Sequence, residues 1–215
     1  MVDAISTVKT PYGVGRLVTR RARKPVATLL VSHGAGKGID SGDLLALTVA
    51  LPRQGISVAR FEQPWKVAGR RIASPPATLD AGLVAAANWM RVRTPLVVGG
   101  RSAGARSACR VARSLGASGC LALAFPLHPP GQPEKSRVEE LREAKVPTLV
   151  VQGERDAFGA PEELPELPDV DLAVVPGADH GFRVAKSGPV SQVEAHEIVV
   201  ESVLEWLVRE IVGAR

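Results

Sequence analysis

The sequence predicts a doubly wound α/β fold with a mostly parallel sheet of about seven or eight strands and helices on both faces. Short apolar runs alternate with segments of helical periodicity along the chain, which is typical of βαβ units. Several of these runs are almost continuously apolar, as strands covered on both faces are. The 215 residues suit one domain with a large core. We therefore expect a single domain over residues 1–215.

Apolar runs of strand length, bounded by turn-forming residues, predict these strands in chain order: 14–19, 25–32, 56–61, 95–99, 120–125, 148–152 and 170–175. Apolar residues at helical spacing predict these helices between and after the strands: 43–54, 78–93, 103–115, 137–145 and 190–212. Gly55 and Gly116 follow two of the helices, where C-caps are expected. Residues 60–76 lack periodicity, so beyond the strand end we expect a loop that either binds a ligand or is a plain surface loop.

The composition is that of an ordinary soluble globular protein, with 45% hydrophobic and 23% charged residues. No apolar run reaches the length of a membrane span, and the first residues lack the basic and apolar regions of a signal peptide. Cys109 and Cys120 fall on a predicted helix and a predicted strand, so we expect buried thiols and not a disulfide. The expected location is a reducing cytoplasm, without a membrane partner.

The net charge of +5 comes mostly from arginine, and the densest basic cluster runs from Arg20 to Lys24. We interpret this cluster as the solvated tip of a hairpin. Nucleic-acid binding is the alternative, but no recognition motif supports it. Aromatic residues, which stack on bases, are only 4% of the chain. We therefore expect no nucleic-acid partner.

The most informative motif is Gly100-Arg-Ser102-Ala-Gly104, between an apolar strand and a helical pattern. This G-x-S-x-G arrangement is typical of a nucleophile elbow, a strained strand-to-helix turn that lifts a serine hydroxyl above the edge of a sheet. Glycines flank the serine because side chains there would collide with the neighbouring strand and helix. The motif predicts that Ser102 is a nucleophile.

A serine nucleophile needs a general base, and the base needs an orienting acid. Asp156 follows the buried strand 148–152, and His180 follows the last predicted strand. The chain order Ser102, Asp156, His180 is the one expected for this type of elbow. We therefore predict that these residues form a catalytic triad.

Other residues of suitable chemistry are weaker candidates. His196 lies on the apolar face of the last helix and is interpreted as a packing residue. His128 precedes the candidate acid along the chain, so we expect it to line the pocket and not to act as the base. Asp179 adjoins His180 and would have to fold back onto its ring, but it stays an alternative to Asp156.

The oxyanion that develops on the substrate needs backbone donors. We expect the N–H of Ala103, directly after the serine, and that of Ala35 in the loop that begins at His33; Gly34 and Gly36 are alternatives to Ala35. The same glycine-rich loop only superficially resembles a phosphate-binding loop, because G-x-x-x-x-G-K-[ST] and G-x-G-x-x-G are both absent. We expect no cofactor and no metal.

Together these motifs resemble the α/β-hydrolase superfamily, and within it the small, lidless, dienelactone-hydrolase-like members found as stand-alone bacterial proteins. The resemblance covers nearly the whole chain and rests on these segments: Ser32-His-Gly-Ala-Gly36, Arg60-Phe61, Gly100-Arg-Ser-Ala-Gly104, Pro126-Leu-His-Pro-Pro-Gly131, Val151-Gln-Gly-Glu-Arg-Asp156 and His180-Gly-Phe182. It implies a serine hydrolase with the triad named above. Similar domains occur in animal testis-expressed proteins and in a chromatin-complex subunit, so a catalytically silent binding or scaffold protein is the alternative.

The expected activity is hydrolysis of a carboxylic ester or thioester of a small soluble substrate through an acyl-enzyme on Ser102. Only residues 126–147 separate two predicted strands where lidded enzymes have a cap domain, so no cap is expected. The mouth of the site is then shaped by residues 60–76 and 125–131, with Trp65 and His128 as candidate substrate contacts. Arg101 either braces the turn through a salt bridge or carbonyl contact, or holds a carboxylate-bearing substrate.

Overall fold

The computed structural model describes residues 2–213, and these form one eight-stranded sheet in the order β1-β2-β4-β3-β5-β6-β7-β8. The strands are β1 Ala4–Thr10, β2 Gly13–Arg20, β3 Ala27–Ser32, β4 Ile56–Glu62, β5 Leu96–Arg101, β6 Gly119–Leu123, β7 Thr148–Gly153 and β8 Val170–Val175. β1 pairs antiparallel with β2, and β2 antiparallel with β4. The strands from β3 to β8 are parallel to one another.

Helices connect the parallel strands. They are α1 Gly42–Ala50, α2 Pro64–Val67, α3 Pro76–Met90, α4 Ala103–Ala112, α5 Val138–Glu143 and α6 Gln192–Trp206. A 3-10 turn, Leu51–Gln54, extends α1 up to Gly55, whose φ of 84° makes it the expected left-handed cap. A π-helical segment, Leu207–Val212, extends α6. The predicted mostly parallel, doubly wound fold class is confirmed, with each predicted strand and helix present and its ends as predicted or shifted by a few residues.

Two apolar cores lie on opposite faces of the sheet. Leu29 and Val31 of β3 face the core that α1 and α6 cover, while Leu30 between them faces the core that α3, α4 and α5 cover. Side chains of a strand alternate between the two faces, so a strand that is buried on both is apolar throughout. This burial explains why β3 has a continuous apolar run in the sequence.

The structure differs from two expectations at the N-terminal side of the sheet. The sequence did not predict β1, because Val8 is its only buried residue in an edge strand of mixed character. The interpretation of the basic run after Arg20 as a hairpin tip was wrong. β4 lies between β2 and β3 in the sheet. The connection from β2 to β3 passes the amino end of β4, where the Ala22 N–H donates to Ser57 Oγ at 3.1 Å.

Parallel strands place their carboxyl ends at one edge of the sheet, where ligands bind in open α/β folds. The connections that follow β3, β5, β7 and β8 meet at this edge. Between β6 and β7 the described chain contains only a 3-10 turn and α5, so no cap domain covers the edge there. Within residues 2–213, no helix is long and apolar enough to cross a membrane.

Candidate active site

Ser102 sits in the turn between β5 and α4 with a strained backbone. Its φ of 54° and ψ of −114° lie outside the regions that non-glycine residues favour, at a cost of about 1–3 kcal/mol. The Ser102 N–H donates to the Leu123 carbonyl of β6 at 2.9 Å. The Ser102 carbonyl accepts a hydrogen bond from the Arg106 N–H in the first turn of α4 at 3.1 Å. Hydrogen bonds on both sides therefore hold the strained turn in place.

The glycines of the elbow are required by close backbone approach. A Cβ on Gly100 would lie 2.5 Å from the Gly104 carbonyl carbon, and one on Gly104 would lie 2.6 Å from the Ser32 carbonyl oxygen. Real Cβ atoms do not tolerate such distances from backbone atoms. The tight packing of β5, α4 and the end of β3 thus explains the G-x-S-x-G spacing.

Ser102, His180 and Asp156 form a continuous hydrogen-bonded chain. His180 Nε2 lies 2.9 Å from Ser102 Oγ, and His180 Nδ1 lies 2.8 Å from Asp156 Oδ2. Because the carboxylate can only accept, Nδ1 carries the proton and Nε2 is left as the acceptor for the serine hydroxyl. The structure brings together all three residues of the predicted triad, in the geometry of a nucleophile, a base and an orienting acid.

The Asp156 carboxylate is fully buried, with a side-chain exposure of 0%, and hydrogen bonds compensate for that burial. The Phe158 N–H donates to Oδ1 at 2.8 Å, and Gln152 Nε2 donates to Oδ2 at 3.0 Å. Gln152 is itself held by the Phe125 N–H, which donates to its Oε1 at 2.9 Å. These donors satisfy the oxygens of a carboxylate that water does not reach.

Arg101 fixes the loop that carries His180. Its guanidinium donates to the His180 carbonyl oxygen at 2.6 Å, and its Nε lies 3.2 Å from Oδ2 of Asp43, which is 2% exposed, in the first turn of α1. The Arg101 side chain is itself only 12% exposed. Of the two expectations for Arg101, these contacts are those of a brace.

Asp179 contacts backbone and not the imidazole, because its Oδ1 accepts from the Gly181 and Arg183 N–H groups.

The loop after β3 approaches the nucleophile closely. A Cβ on Gly34 would lie 3.1 Å from Ser102 Cβ. The backbone N–H groups of Ala35 and Ala103 have no acceptor within the described chain, so both donors are available to a ligand. His33 holds the base of this loop: its Nδ1 donates to the Gly34 carbonyl at 2.7 Å, and its Nε2 accepts from the Gln63 N–H at 3.1 Å. Burial lowers the pKa of His33, which keeps it neutral as these contacts require.

The structure does not bring Trp65 or His128 into contact with the triad. Trp65 lies on α2, is 3% exposed and packs against His33 with ring centroids 5.5 Å apart. His128 uses both ring nitrogens elsewhere, with Nδ1 at 2.8 Å from the Pro129 carbonyl and Nε2 at 2.9 Å from Glu163. Both residues support neighbouring loops, and substrate contact by either stays a prediction.

Sequence reasoning missed the supporting residues Gln152, Phe158 and Asp43. The Phe158 ring lies against His180 with centroids 4.2 Å apart. Gln152 could have been recognised in the sequence, because it is a single amide that ends the apolar run of β7. Asp43 resembled an ordinary acidic residue in the first turn of a helix, and Phe158 an ordinary loop aromatic. Among residues 2–213, no cluster of three or more His, Cys, Asp or Glu side chains forms a candidate metal site.

The fold and the elbow define a hydrolase class, and comparison with known proteins agrees. Residues 25–208 match the family model described as the alpha/beta hydrolase domain. The chain belongs to this α/β-hydrolase family.

Solved structures of the same fold are similar over nearly the whole chain. An α/β serine hydrolase without a lid from Xanthomonas campestris is 20% identical, with a TM-score of 0.73 and coverage of 95% of this chain and 94% of that one. A dienelactone hydrolase from Anabaena variabilis is 17% identical, with a TM-score of 0.75 and 98% coverage of both chains. An α/β serine hydrolase homologue from Coxiella burnetii is 18% identical, with a TM-score of 0.73 and coverage of 94% of this chain and 98% of that one.

Proposed function

We propose that this protein is a serine hydrolase that cleaves carboxylic esters or thioesters of small soluble substrates through an acyl-enzyme on Ser102. The observation that carries the proposal is the hydrogen-bonded chain from Ser102 Oγ to His180 Nε2 at 2.9 Å and from His180 Nδ1 to Asp156 Oδ2 at 2.8 Å. A nucleophile, a base and a buried acid in this order activate a serine hydroxyl for attack on a carbonyl.

In the acylation step, Ser102 Oγ forms a bond to the substrate carbonyl carbon while its proton passes to His180 Nε2. Asp156 stabilises the resulting imidazolium through Nδ1–H. The negative charge on the carbonyl oxygen is stabilised by the backbone N–H groups of Ala103 and Ala35, which have no protein acceptor among the described residues. The carbon–oxygen or carbon–sulfur bond to the leaving group then breaks, and His180 gives its proton to the departing alcohol or thiol.

In the deacylation step, water replaces the alcohol or thiol. His180 Nε2 takes a proton from this water as its oxygen attacks the acyl carbon, and the same two N–H groups stabilise the second tetrahedral intermediate. The bond to Ser102 Oγ breaks, the serine recovers its proton from His180, and the carboxylic acid leaves. The cycle consumes one water and needs no cofactor.

A cytoplasmic location forms part of the proposal. Cys109 and Cys120 are both buried free thiols, and their sulfur atoms lie 3.8 Å apart without a disulfide. Neighbouring thiols that stay reduced are typical of a reducing compartment.

The test is labelling of the pure protein with a fluorophosphonate, which reacts only with an activated serine. We expect stoichiometric labelling of the wild type and none of Ser102→Ala or His180→Ala. Turnover of an ester that the wild type cleaves should fall on the order of a millionfold in Ser102→Ala. Ser114→Ala is a matched control, because this exposed serine just beyond α4 has only the Val111 carbonyl as a side-chain hydrogen-bond partner among residues 2–213.

Two outcomes would contradict the proposal. If the folded wild type fails to label, the protein is a binding or scaffold protein with a silent triad. If Ser102→Ala labels and turns over substrate as the wild type does, another residue is the nucleophile.

A further inference from the structure

A separate cavity of about 300 Å³ lies at the amino edge of the sheet. Its walls come from the end of β2, the starts of β3 and β4, and the connection from α3 to β5. Ser102, Asp156 and His180 lie at the carboxyl edge, so the two sites are at opposite ends of the parallel strands. What this cavity binds is therefore independent of the proposed hydrolysis.

Three arginines line this amino-edge cavity: Arg21, Arg91 and Arg93. All three are exposed, and none forms an ion pair or a side-chain hydrogen bond within the described chain. No Asp or Glu side chain is among the described residues that line the cavity. By contrast, Arg106 and Arg110 of α4 are paired with carboxylates. Three unpaired guanidinium groups around one concave surface create a positive potential that attracts an anion.

Arg91 ends α3 at the wall of the cavity. Arg91 caps α3 in the left-handed conformation, with φ 44° and ψ 49°. Glycine is the residue favoured at this position, and a larger side chain there costs about 1–2 kcal/mol.

Two hydroxyl groups in the cavity wall have protons to donate, namely Ser57 and one member of the Thr28–Thr94 pair. Thr28 and Ser57 are each 5% exposed. Thr28 Oγ1 and Thr94 Oγ1 lie 2.8 Å apart, and since one proton makes that bond, the other is unused. Ser57 Oγ accepts from the Ala22 N–H, and its own proton has no acceptor within the described residues. Guanidinium and hydroxyl donors together suit the oxygens of a phosphate group.

Trp89 adds a flat apolar surface at the rim of the same cavity. Its side chain is half exposed, and no described cation or aromatic ring stacks on it. A nucleobase that stacks on one aromatic ring gains about 1–3 kcal/mol. One ring, three arginines and a volume at the lower end of the range for ligand pockets suit a mononucleotide. A polynucleotide would need a series of such rings.

We propose that the amino-edge cavity binds a nucleoside diphosphate. The phosphates contact Arg21, Arg91 and Arg93 together with the free hydroxyl donors of Ser57 and of the Thr28–Thr94 pair, and the base stacks on Trp89. The cavity is thus a second ligand site at the end of the sheet opposite the triad.

The test is isothermal titration of the full chain with ADP, with pyrophosphate and adenosine as separate ligands. We expect saturable ADP binding at low salt, weakened about tenfold or more in the double variant Arg91→Gln/Arg93→Gln. Trp89→Leu should weaken ADP binding and leave pyrophosphate binding unchanged. Arg70→Gln/Arg71→Gln makes the same charge change at two exposed arginines outside the cavity and should bind ADP as the wild type does.

Binding should persist in Ser102→Ala, which separates this proposal from the proposed hydrolysis, and circular dichroism should show that each variant is folded. The proposal is overturned if the wild type binds no ADP up to about 1 mM, or if Arg91→Gln/Arg93→Gln and Arg70→Gln/Arg71→Gln bind ADP equally. Tight binding of a single-stranded oligonucleotide through the same arginines, with weak binding of ADP, would also overturn it in favour of a polynucleotide surface.

Discussion

At the scale of single residues, Asp156 and Asp179 make different contacts and therefore have different roles at the site. Both carboxylates lie near His180 along the chain or in space. Asp156 contacts the imidazole Nδ1, whereas Asp179 accepts hydrogen bonds from two N–H groups of its own loop. Asp156 therefore sets the tautomer of the imidazole, and Asp179 shapes the turn that presents it.

This division predicts different effects for two matched variants. Asp156→Asn should lower kcat by about ten-thousandfold with the fold intact, because an amide favours the wrong imidazole tautomer. Asp179→Asn keeps an oxygen acceptor for the Gly181 and Arg183 N–H groups and should stay close to wild-type kcat. Ester hydrolysis by both variants is the measurement. A larger loss in Asp179→Asn than in Asp156→Asn would reverse the assignment of the acid.

Arg101 is the second residue whose role depends on its contacts. Its guanidinium is occupied by the His180 carbonyl and by the buried Asp43. We expect Arg101→Met to leave the preference between neutral and acidic esters unchanged, because the guanidinium already contacts the His180 carbonyl and the buried Asp43 carboxylate. Ratios of kcat/KM for a matched ester pair measure this. Loss of a preference for the acidic ester would show that Arg101 binds substrate.

The same contacts predict a stability effect. Arg101→Met should lower the free energy of unfolding by about 3 kcal/mol or more, because it leaves the Asp43 carboxylate buried without its partner. Adding Asp43→Asn to that variant removes the buried charge and should restore part of the loss. Urea unfolding of the single and double variants makes the measurement. Equal unfolding free energies for wild type and Arg101→Met would contradict this role.

At the scale of elements, the connections that follow β6 and β7 support each other beside the triad. The His128 N–H donates to the Phe158 carbonyl at 3.0 Å, and the Phe158 ring lies against His180. The His128 ring pairs with Glu163 on the 3-10 turn Pro161–Glu163. Two loops from neighbouring strands thereby hold the aromatic wall of the site.

This pair should make stability depend on pH. The Pro129 carbonyl and the Glu163 carboxylate raise the pKa of His128 above its usual 6.5, although burial and Arg137 oppose this. The Ala160 N–H and His128 lower the pKa of Glu163 below 4.5. The stabilisation that His128 provides is fully present below the pKa of His128 in the unfolded chain, and it is lost as the pH rises through its pKa in the folded protein. The stabilisation that Glu163 provides is lost as the pH falls through the pKa of Glu163 in the folded protein.

Glu163→Gln should therefore reduce stability by about 0.5 kcal/mol near pH 6, since the pair is partly exposed to solvent, and by less near pH 8.5. Thermal unfolding at both pH values is the measurement. Glu162→Gln is the control, because this neighbouring carboxylate is exposed and forms no ion pair within the described chain. A destabilisation by Glu163→Gln that is larger near pH 8.5 than near pH 6 would contradict the predicted direction of the pH dependence.

At the scale of the whole molecule, the carboxyl edge carries no cap domain over residues 124–147. Enzymes that bury long acyl chains gain about 0.8 kcal/mol for each methylene, or roughly a fourfold change per carbon. An uncovered edge offers little surface for that burial. The proposed hydrolase should therefore favour short acyl groups.

A series of p-nitrophenyl esters from acetate to decanoate tests this, at concentrations below micelle formation. We expect kcat/KM to stay level or fall as the acyl chain lengthens. A rise of about fourfold per methylene would show that a covered acyl pocket forms in solution, and the site would then not be open.

Much of this protein was predictable from local sequence. The alternation of apolar runs and helical periodicity predicted the parallel sheet, and the motif around Ser102 predicted the elbow, because periodicity and close-packed glycines leave local signals. The order of Ser102, Asp156 and His180 predicted which residues meet, since the carboxyl ends of parallel strands share one edge.

Only the tertiary structure decided the rest. It added β1, placed β4 between β2 and β3, and tied Arg101 to Asp43 and His180. It also gathered the arginines of the amino-edge cavity from two separate connections. The physical reason is that strand order and side-chain pairing follow from burying both faces of the sheet at once. Contacts between residues far apart in the chain leave no periodic signal in either segment.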